Sequence, residues 1–162
     1  LGLDLIGKNV RLYWDQAVYK KPGTQDEFPW HQDNGYTFIE PQAYLTCWLA
    51  LTDTDESNGC PWVVPKLHRL GTLKHETTDL GFEIPLNDKD AIPLPLKSGS
   101  IAVFSSLTPH RTGPNTSKGV RKSYILQYAP DGAKRKISNS LSEPVNEESR
   151  QFYVVKDGFT LS

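Results

Sequence analysis

Residues 99–129 read GSIAVFSSLTPHRTGPNTSKGVRKSYILQYA, and this stretch decides the fold class. Residues 99–106 and residues 122–129 are rich in β-branched and aromatic side chains, which predicts a strand in each. The polar loop between them contains Gly113 and Gly119, which fit a hairpin connection. The stretch therefore predicts two strands joined by a turn that carries a histidine, His110.

Three further strands are predicted earlier in the chain, at residues 10–19, 42–51 and 60–64. The second of these alternates strictly, because successive side chains of a strand point to opposite faces. One of its faces therefore carries four residues: Tyr44, Thr46, Trp48 and Ala50.

Helix signals are sparse in this sequence. Residues 146–155 are the one helix candidate, with Asn146 as a possible cap and acidic residues in the first turn. Residues 71–97 show weak periodicity and are expected to form a long excursion with one strand, which could serve as a mobile cover. Short strands between turns predict an all-β fold. We expect a double-stranded β-helix, which is a jelly-roll or cupin-like β-sandwich, with little helix and a single domain over residues 1–162.

Composition excludes several classes of partner. The 162 residues include 18 basic and 19 acidic side chains, a formal charge of −1, which gives no reason to expect a nucleic acid or an anionic membrane as partner. No apolar run approaches the roughly 18 residues that span a bilayer, and the first residues lack the pattern of a secretory signal. Cys47 and Cys60 are expected to be buried free thiols in a reducing compartment. A cytoplasmic protein that acts on a small molecule is the expectation.

The first chemical signal is the tripeptide His31-Gln32-Asp33. Residues i and i+2 of a strand share a face, so an imidazole and a carboxylate can converge on one point. His110 follows the strand at residues 99–106 and adds a second imidazole. Two histidines and one carboxylate bind iron(II) on one face and leave the opposite positions open for a cosubstrate and O2.

The second signal is Arg121, eleven residues after His110. A guanidinium offers a planar fork that matches a carboxylate, and a buried carboxylate needs such a partner. Thr112 could add a hydroxyl donor to the same carboxylate. A metal-chelating dicarboxylate such as 2-oxoglutarate would use the metal and the arginine together.

With these motifs the chain resembles the phytanoyl-CoA dioxygenase family of iron(II)- and 2-oxoglutarate-dependent oxygenases. The resemblance runs through PWHQDNGY, LTCWLALTD, NGCPWVVPKLH and GSIAVFSSLTPHRTGPN, followed by VRKSYILQYAP. By position it implies iron ligands at His31, Asp33 and His110. It implies 2-oxoglutarate contacts at Trp48, Thr112, Arg121 and Gln16. The implied reaction hydroxylates an unactivated carbon of a small-molecule substrate, consumes O2 and releases succinate and CO2.

The chain departs from the family pattern in two places. The usual turn PGSH is replaced by Pro65-Lys66-Leu67-His68. The family also has an N-terminal, largely helical portion that contributes a lysine to the cosubstrate pocket. We therefore expect this chain to be the catalytic core without that portion.

Other readings of the same residues remain open. A related halogenase would have a small residue in place of Asp33, so the carboxylate argues against it. A non-catalytic jelly roll that binds a metal or a 2-oxo acid would not need the full set of metal and arginine residues. A zinc hydrolase would leave Arg121 and Thr112 without a role. His68, in a turn, and His75, in a polar loop, are expected to lie outside the site, with His75 exposed to solvent.

Overall fold

Strands supply most of the regular structure in the computed structural model, which describes residues 1–161. The strands are β1 Val10–Lys20, β2 Phe28–His31, β3 Ile39–Glu40, β4 Leu45–Ala50, β5 Pro61–Val63, β6 Glu76–Thr78, β7 Gly81–Glu83, β8 Ile92–Pro93, β9 Ile101–Ser105, β10 His110–Thr112, β11 Arg121–Pro130, β12 Lys134–Lys136, β13 Ser142–Pro144, β14 Tyr153–Lys156 and β15 Phe159–Thr160. The helical segments are α1 Gly2–Leu5, α2 Asp33–Tyr36 and two 3₁₀ turns at Leu67–Leu70 and Asp88–Asp90.

Two antiparallel sheets form the body of the fold. The larger has six strands in the order β15-β14-β1-β11-β4-β9, and the smaller has four in the order β2-β10-β5-β8. The strands β13, β12 and β3 form a third, three-stranded sheet, and β6 and β7 form a separate hairpin. Curled antiparallel sheets with very little helix confirm the predicted jelly roll.

The pairing of β1 with β11 is the longest in the molecule. It extends from Val10 opposite Pro130 to Lys20 opposite Arg121, with a register shift between Leu12 and Trp14. The other edge of β11 pairs with β4, whose far edge pairs with β9. The inner faces of β1, β11 and β4 therefore form a continuous wall, which faces the smaller sheet across a cavity.

The alternation predicted for residues 42–51 is confirmed. Tyr44, Thr46, Trp48 and Ala50 are all buried. On the opposite face Cys47 is also buried, Leu45 and Leu49 are half-buried and Leu51 is exposed. Trp48, Ala50 and Ala102 pack together with four partly buried hydrophobic residues: Leu94, Leu96, Phe104 and Ile125. Burial of these apolar surfaces stabilises the larger sheet at its centre.

The helix predicted at residues 146–155 is wrong. Residues 147–150 form a turn closed by the amide of Arg150, which donates to the carbonyl of Glu147 at 3.0 Å. The chain then enters β14, where Val155 is buried opposite Val10. The sequence Tyr-Val-Val-Lys suits a strand, and the unpaired edge of β1 gives it a partner, so tertiary pairing overrides the local helix signal.

The hairpin predicted between residues 99–106 and 122–129 is also wrong. The strands β9 and β11 lie on opposite sides of β4 instead of pairing with each other. The loop between them crosses to the smaller sheet, where it forms β10. Such crossings keep the two sheets of a jelly roll connected, and neither Gly113 nor Gly119 is needed for a two-strand turn.

Two further expectations concern residues 71–97 and the two cysteines. Residues 71–97 form three short strands, β6 to β8, rather than one. Cys47 and Cys60 are both buried and free, as predicted. No helix within residues 1–161 is long and apolar enough to cross a bilayer.

Candidate metal centre and its cavity

Backbone pairing brings the two distant histidines together. His31 is the last residue of β2 and His110 is the first residue of β10, and the two are directly opposite each other in the antiparallel ladder. Gln32 is extended, with φ −110° and ψ 140°, and Asp33 begins α2. The strand expected across residues 31–33 therefore ends at His31, but an extended Gln32 still turns Asp33 to the same side as His31.

The three side chains converge on one point. Oδ1 of Asp33 lies 3.7 Å from Nε2 of His31 and 3.7 Å from Nε2 of His110. One ligand atom from each residue can be chosen so that all three lie within 4.8 Å of one another. Both histidines are buried, and their ring centroids are 4.1 Å apart. These distances suit three donors arranged around one metal ion.

Hydrogen bonds fix the orientation of each donor. Nδ1 of His31 lies 2.8 Å from the carbonyl oxygen of Pro29, and Nδ1 of His110 lies 3.0 Å from that of Thr108. A carbonyl only accepts, so each Nδ1 carries the proton and each Nε2 lone pair faces the site. The hydroxyl of Thr46 donates to Oδ2 of Asp33, which leaves Oδ1 for the site.

The charge state of the cluster also suits a metal. Burial raises the pKa of Asp33, but the two histidines and the hydrogen bond from Thr46 outweigh it and hold that pKa at about 2. Burial and the neighbouring His31 lower the pKa of His110 to about 4, against the opposing effect of Asp33. At neutral pH the site therefore presents a carboxylate beside a neutral imidazole, which are the forms that bind cations.

The segment at residues 71–75 is tied to the backbone between the ligands. Nε2 of Gln32 donates to the carbonyls of Gly71 at 2.9 Å and Leu107 at 2.6 Å, and its Oε1 accepts from the amide of Leu73 at 2.7 Å. The amide of Gln32 donates to Nε2 of His75 at 3.0 Å. Nδ1 of His75 donates in turn to the carbonyl of Leu73 at 2.9 Å. Residues 71–75, the first part of the expected mobile cover, are therefore held by hydrogen bonds to Gln32.

His75 corrects one expectation of the sequence analysis. It is half-buried, not exposed, because its ring lies against Gly35 in α2. A Cβ on Gly35 would lie 2.0 Å from Cε1 of His75, so this position of the ring requires a glycine at residue 35. The only sequence signal for this contact is the glycine two residues after Asp33, which does not identify its partner.

A cavity of about 1070 Å³ opens from the metal cluster. The residues predicted to contact 2-oxoglutarate all line it: Gln16, Trp48, Thr112 and Arg121. Gln16 is exposed and accepts a hydrogen bond from Nε1 of Trp14 at 3.3 Å. The structure thus places all predicted site residues around one space.

Arg121 is the most unusual group in this cavity. It is 1% exposed, and burial lowers its pKa to about 10. Nη1 donates to the hydroxyl of Ser123 at 2.8 Å, while the buried Nε has no partner among residues 1–161. Its Cζ lies 5.3 Å from the centre of the Trp48 ring. A buried guanidinium with an unused donor fits an anionic group held at this end of the cavity.

Sequence comparisons agree with this geometry. A family model described as Phytanoyl-CoA dioxygenase (PhyH) matches residues 2–123. The protein named phytanoyl-CoA dioxygenase of Arabidopsis thaliana is 30% identical over 124 residues, which cover 72% of this chain and 44% of the relative. Methylphosphonate hydroxylase of Gimesia maris is 31% identical over 125 residues, covering 76% and 47%. The chain therefore spans about half the length of these curated relatives.

Solved structures with the same fold include a protein complexed with 2-oxoglutarate and a non-heme monooxygenase. EvdO2 from Micromonospora carbonacea var. aurantiaca, complexed with 2-oxoglutarate, superposes with a TM-score of 0.72 at 25% identity and covers 88% of this chain and 59% of its own. The non-heme monooxygenase ThoJ, in its apo form, gives a TM-score of 0.76 at 23% identity, covering 88% and 55%. The second likeness supports the fold alone.

The cluster predicts one divalent metal ion per chain. His31→Ala and His110→Ala should each abolish stoichiometric binding, because each removes one of three donors and leaves too few to hold the ion. Anaerobic titration with iron(II), followed by metal analysis after desalting, measures the stoichiometry. His68→Ala is the matched control and should keep the metal. Retention of one metal by both site variants would refute the cluster as its binding site.

The contact between Gly35 and His75 generates a second prediction. Gly35→Ala should lower the free energy of unfolding by about 1–3 kcal/mol and weaken metal binding, because the new methyl group displaces the His75 ring. In a His75→Ala background the same substitution should cost much less. Gly119→Ala is the control, since a Cβ there meets nothing within 4 Å. Thermal denaturation of the four variants tests this, and equal costs in both backgrounds would contradict it.

Proposed function

The chain belongs to the phytanoyl-CoA dioxygenase family, and we propose that it carries the catalytic core of an iron(II)- and 2-oxoglutarate-dependent dioxygenase. The proposed reaction hydroxylates an unactivated carbon of a small-molecule substrate. One observation carries the proposal: the donor atoms of His31, Asp33 and His110 converge in the cavity that also contains the buried, partly unsatisfied Arg121.

The metal-binding role rests on the chemistry of the donor set. Neutral imidazoles and one carboxylate suit iron(II), and three donors from one side leave positions for other ligands. The hydrogen bonds from His31 and His110 to backbone carbonyls hold both rings in place before any metal binds. Asp33 offers the one negative charge of the set, and Thr46 holds its second oxygen away from the site.

The cosubstrate role rests on Arg121 and its surroundings. Its guanidinium lines the cavity and can donate to the distal carboxylate of 2-oxoglutarate, and Thr112 lines the same space. Trp48 lies under the guanidinium and restricts its position. Gln16 lines the cavity from β1 and would contact the cosubstrate or the substrate from that side.

Bound iron(II) and 2-oxoglutarate would supply the oxidising power: O2, 2-oxoglutarate and the substrate carbon–hydrogen bond give succinate, CO2 and the hydroxylated carbon. The protein's own residues bind and orient the reactants. Arg121 and the metal ligands would set the direction of the cosubstrate between them. Aromatic walls, including Phe28, Tyr36 and Tyr44, limit water at the reacting end.

Two other activities fit the site less well. A halogenase needs a coordination position free for halide, and the ionised Asp33 occupies that place in the donor set. A binding protein without catalysis would have no need for an open metal face beside a buried arginine.

The substrate is proposed to be a small organic molecule. Relatives are named for a coenzyme A thioester and for methylphosphonate, which share no scaffold. Ten cavity-lining residues follow the region that the family model matches: Ile125, Gln127, Arg135, Glu143, Pro144, Val145, Asn146, Glu147, Arg150 and Gln151.

The proposed reaction can be tested without the natural substrate. Iron(II)-loaded protein incubated with 2-oxoglutarate and O2 should release succinate slowly, because such oxygenases turn over their cosubstrate in an uncoupled way. Asp33→Ala should abolish that release. Succinate should be quantified by mass spectrometry against a metal-free sample, and release that is independent of the metal would refute the proposal.

The proposed contact between Arg121 and 2-oxoglutarate gives a second prediction. Arg121→Ala should weaken 2-oxoglutarate binding by roughly two to four decades, because loss of one partner of a buried ion pair costs about 3–5 kcal/mol. Iron affinity should be nearly unchanged, since the guanidinium does not belong to the donor set. Arg121→Lys should restore part of the loss, because a point charge cannot reproduce the two-pronged contact.

Anaerobic titration of the iron(II) form with 2-oxoglutarate, read from the visible charge-transfer band of the chelate, measures this affinity. The adjacent Lys122→Ala is the control, because Lys122 is exposed. If the Arg121→Ala protein binds 2-oxoglutarate with normal affinity, the assignment of Arg121 as the partner of its distal carboxylate is refuted.

A further inference from the structure

Lys20 is a second cation at the arginine end of the cavity. It is the last residue of β1, directly opposite Arg121 in the β1–β11 ladder, and both side chains line the cavity. Opposed residues of an antiparallel pair lie close together, so two like charges there are unfavourable unless something compensates them. Neither side chain forms an ion pair with a carboxylate within residues 1–161. The pair therefore forms an electropositive end of the cavity.

The ammonium group of Lys20 is held by oxygen acceptors. Nζ donates to the carbonyl of Gly113 at 2.5 Å and to that of Asp26 at 3.2 Å. It also lies 3.4 Å from Oγ1 and 3.5 Å from the carbonyl oxygen of Thr112. An ammonium has three hydrogens and no acceptor, and these contacts use all three. Lys20 therefore has no free hydrogen with which to bind a ligand directly.

The contact between Lys20 and Thr112 determines in which direction the Thr112 hydroxyl can donate a hydrogen bond. Because Lys20 only donates, Oγ1 of Thr112 accepts this hydrogen bond, and the hydroxyl hydrogen is free to point elsewhere. Thr112 lines the cavity together with Arg121. A ligand at this end would then meet hydrogen-bond donors from both Thr112 and Arg121. A carboxylate, which has two acceptor oxygens, suits this arrangement.

Lys20 also fixes the backbone on which Thr112 sits. The carbonyl of Gly113 that accepts from Lys20 is packed against Gly59, where a Cβ would lie 2.7 Å from it. The side chain therefore connects the end of β1 to the loop after β10. Burial, together with the nearby Arg121, lowers the pKa of Lys20 to about 8, so the group is charged at pH 7.

We propose that Lys20 is a positioning residue for the distal carboxylate of 2-oxoglutarate, acting through the hydroxyl of Thr112 and adding positive charge beside Arg121. This inference rests on the proposed function. Its alternative is a purely structural tie between β1 and β10, and the two differ in what they predict for a ligand that lacks the distal carboxylate.

The experiment compares two probes on iron(II)-loaded protein under anaerobic conditions at pH 7. The first probe is 2-oxoglutarate, and the second is 2-oxovalerate, which replaces the distal carboxylate with a methyl group. Lys20→Met should weaken binding of 2-oxoglutarate about tenfold, the effect of one hydrogen bond to a charged group. It should leave the affinity for 2-oxovalerate unchanged. Lys20→Arg should retain most of the affinity for 2-oxoglutarate.

Matched variants distinguish loss of the contact between Lys20 and Thr112 from general destabilisation of the protein. Lys122→Met, on the exposed face of the same strand pair, should bind both probes normally. Thr112→Val should weaken 2-oxoglutarate binding. Adding Lys20→Met to Thr112→Val should reduce the affinity for 2-oxoglutarate by a smaller factor than Lys20→Met alone, because Lys20 acts through the Thr112 hydroxyl. If Lys20→Met does not fold, Lys20→Gln and the Lys20→Arg comparison take its place.

The outcomes are distinct. Equal losses for both probes, no loss for 2-oxoglutarate, or additive effects of the Lys20 and Thr112 changes would overturn the role of Lys20. If the unaltered protein binds 2-oxoglutarate no better than 2-oxovalerate, the proposed function itself fails, whatever the Lys20 variants do.

Discussion

The antiparallel pairing of β2 with β10 is the constraint on which the site depends. It places His31 directly opposite His110, although 78 other residues separate them along the chain. Opposed side chains of such a ladder share a face, so the position of one imidazole fixes that of the other. The third donor then needs only one extended residue, Gln32, to reach the same point. The geometry of the metal centre is thus largely a property of backbone hydrogen bonds, which are rigid and do not depend on long side chains.

A second layer holds this pairing in place. The side chain of Gln32 points away from the metal and forms three hydrogen bonds with the chain at Gly71, Leu73 and Leu107, and its amide is held by His75. A buried amide side chain with this many partners resists displacement, because breaking any one bond leaves a desolvated polar group. The residue between the two ligands therefore has a structural role as specific as theirs. A metal site whose support is preorganised loses less conformational entropy when the ion binds.

The parts that could be predicted from sequence are those that depend on local patterns. Alternation at residues 42–51 identified the buried face of β4, and the motifs at His31 and His110 identified residues that the fold brings together. The failures are all long-range. Residues 146–155 have a local helix signal, but the free edge of β1 converts their second half to a strand. His75 and Lys20 carry no motif, because their roles come from partners 43 and 93 positions away in the chain. The roles of the cosubstrate residues remain predictions.

Charge explains why the cavity and a dicarboxylate suit each other. With a divalent metal bound at His31, Asp33 and His110, the charges of that metal, Lys20 and Arg121 would exceed the charge of the Asp33 carboxylate and of Asp26 and Glu27 near Lys20, so this part of the cavity would be positive. Burial lowers the pKa values of Lys20 and Arg121, and Arg121 lowers that of Lys20 further, which reflects the cost of keeping both groups charged. A dianion that spans from the metal to the arginine would offset much of this positive charge and pair with the guanidinium of Arg121. Binding of such a ligand would therefore reduce the repulsion between the two cations. The complex should then have a higher melting temperature than the protein without the ligand. The proposed selectivity for 2-oxoglutarate over a monocarboxylate 2-oxo acid would have the same cause, because a neutral methyl group would leave both cations uncompensated.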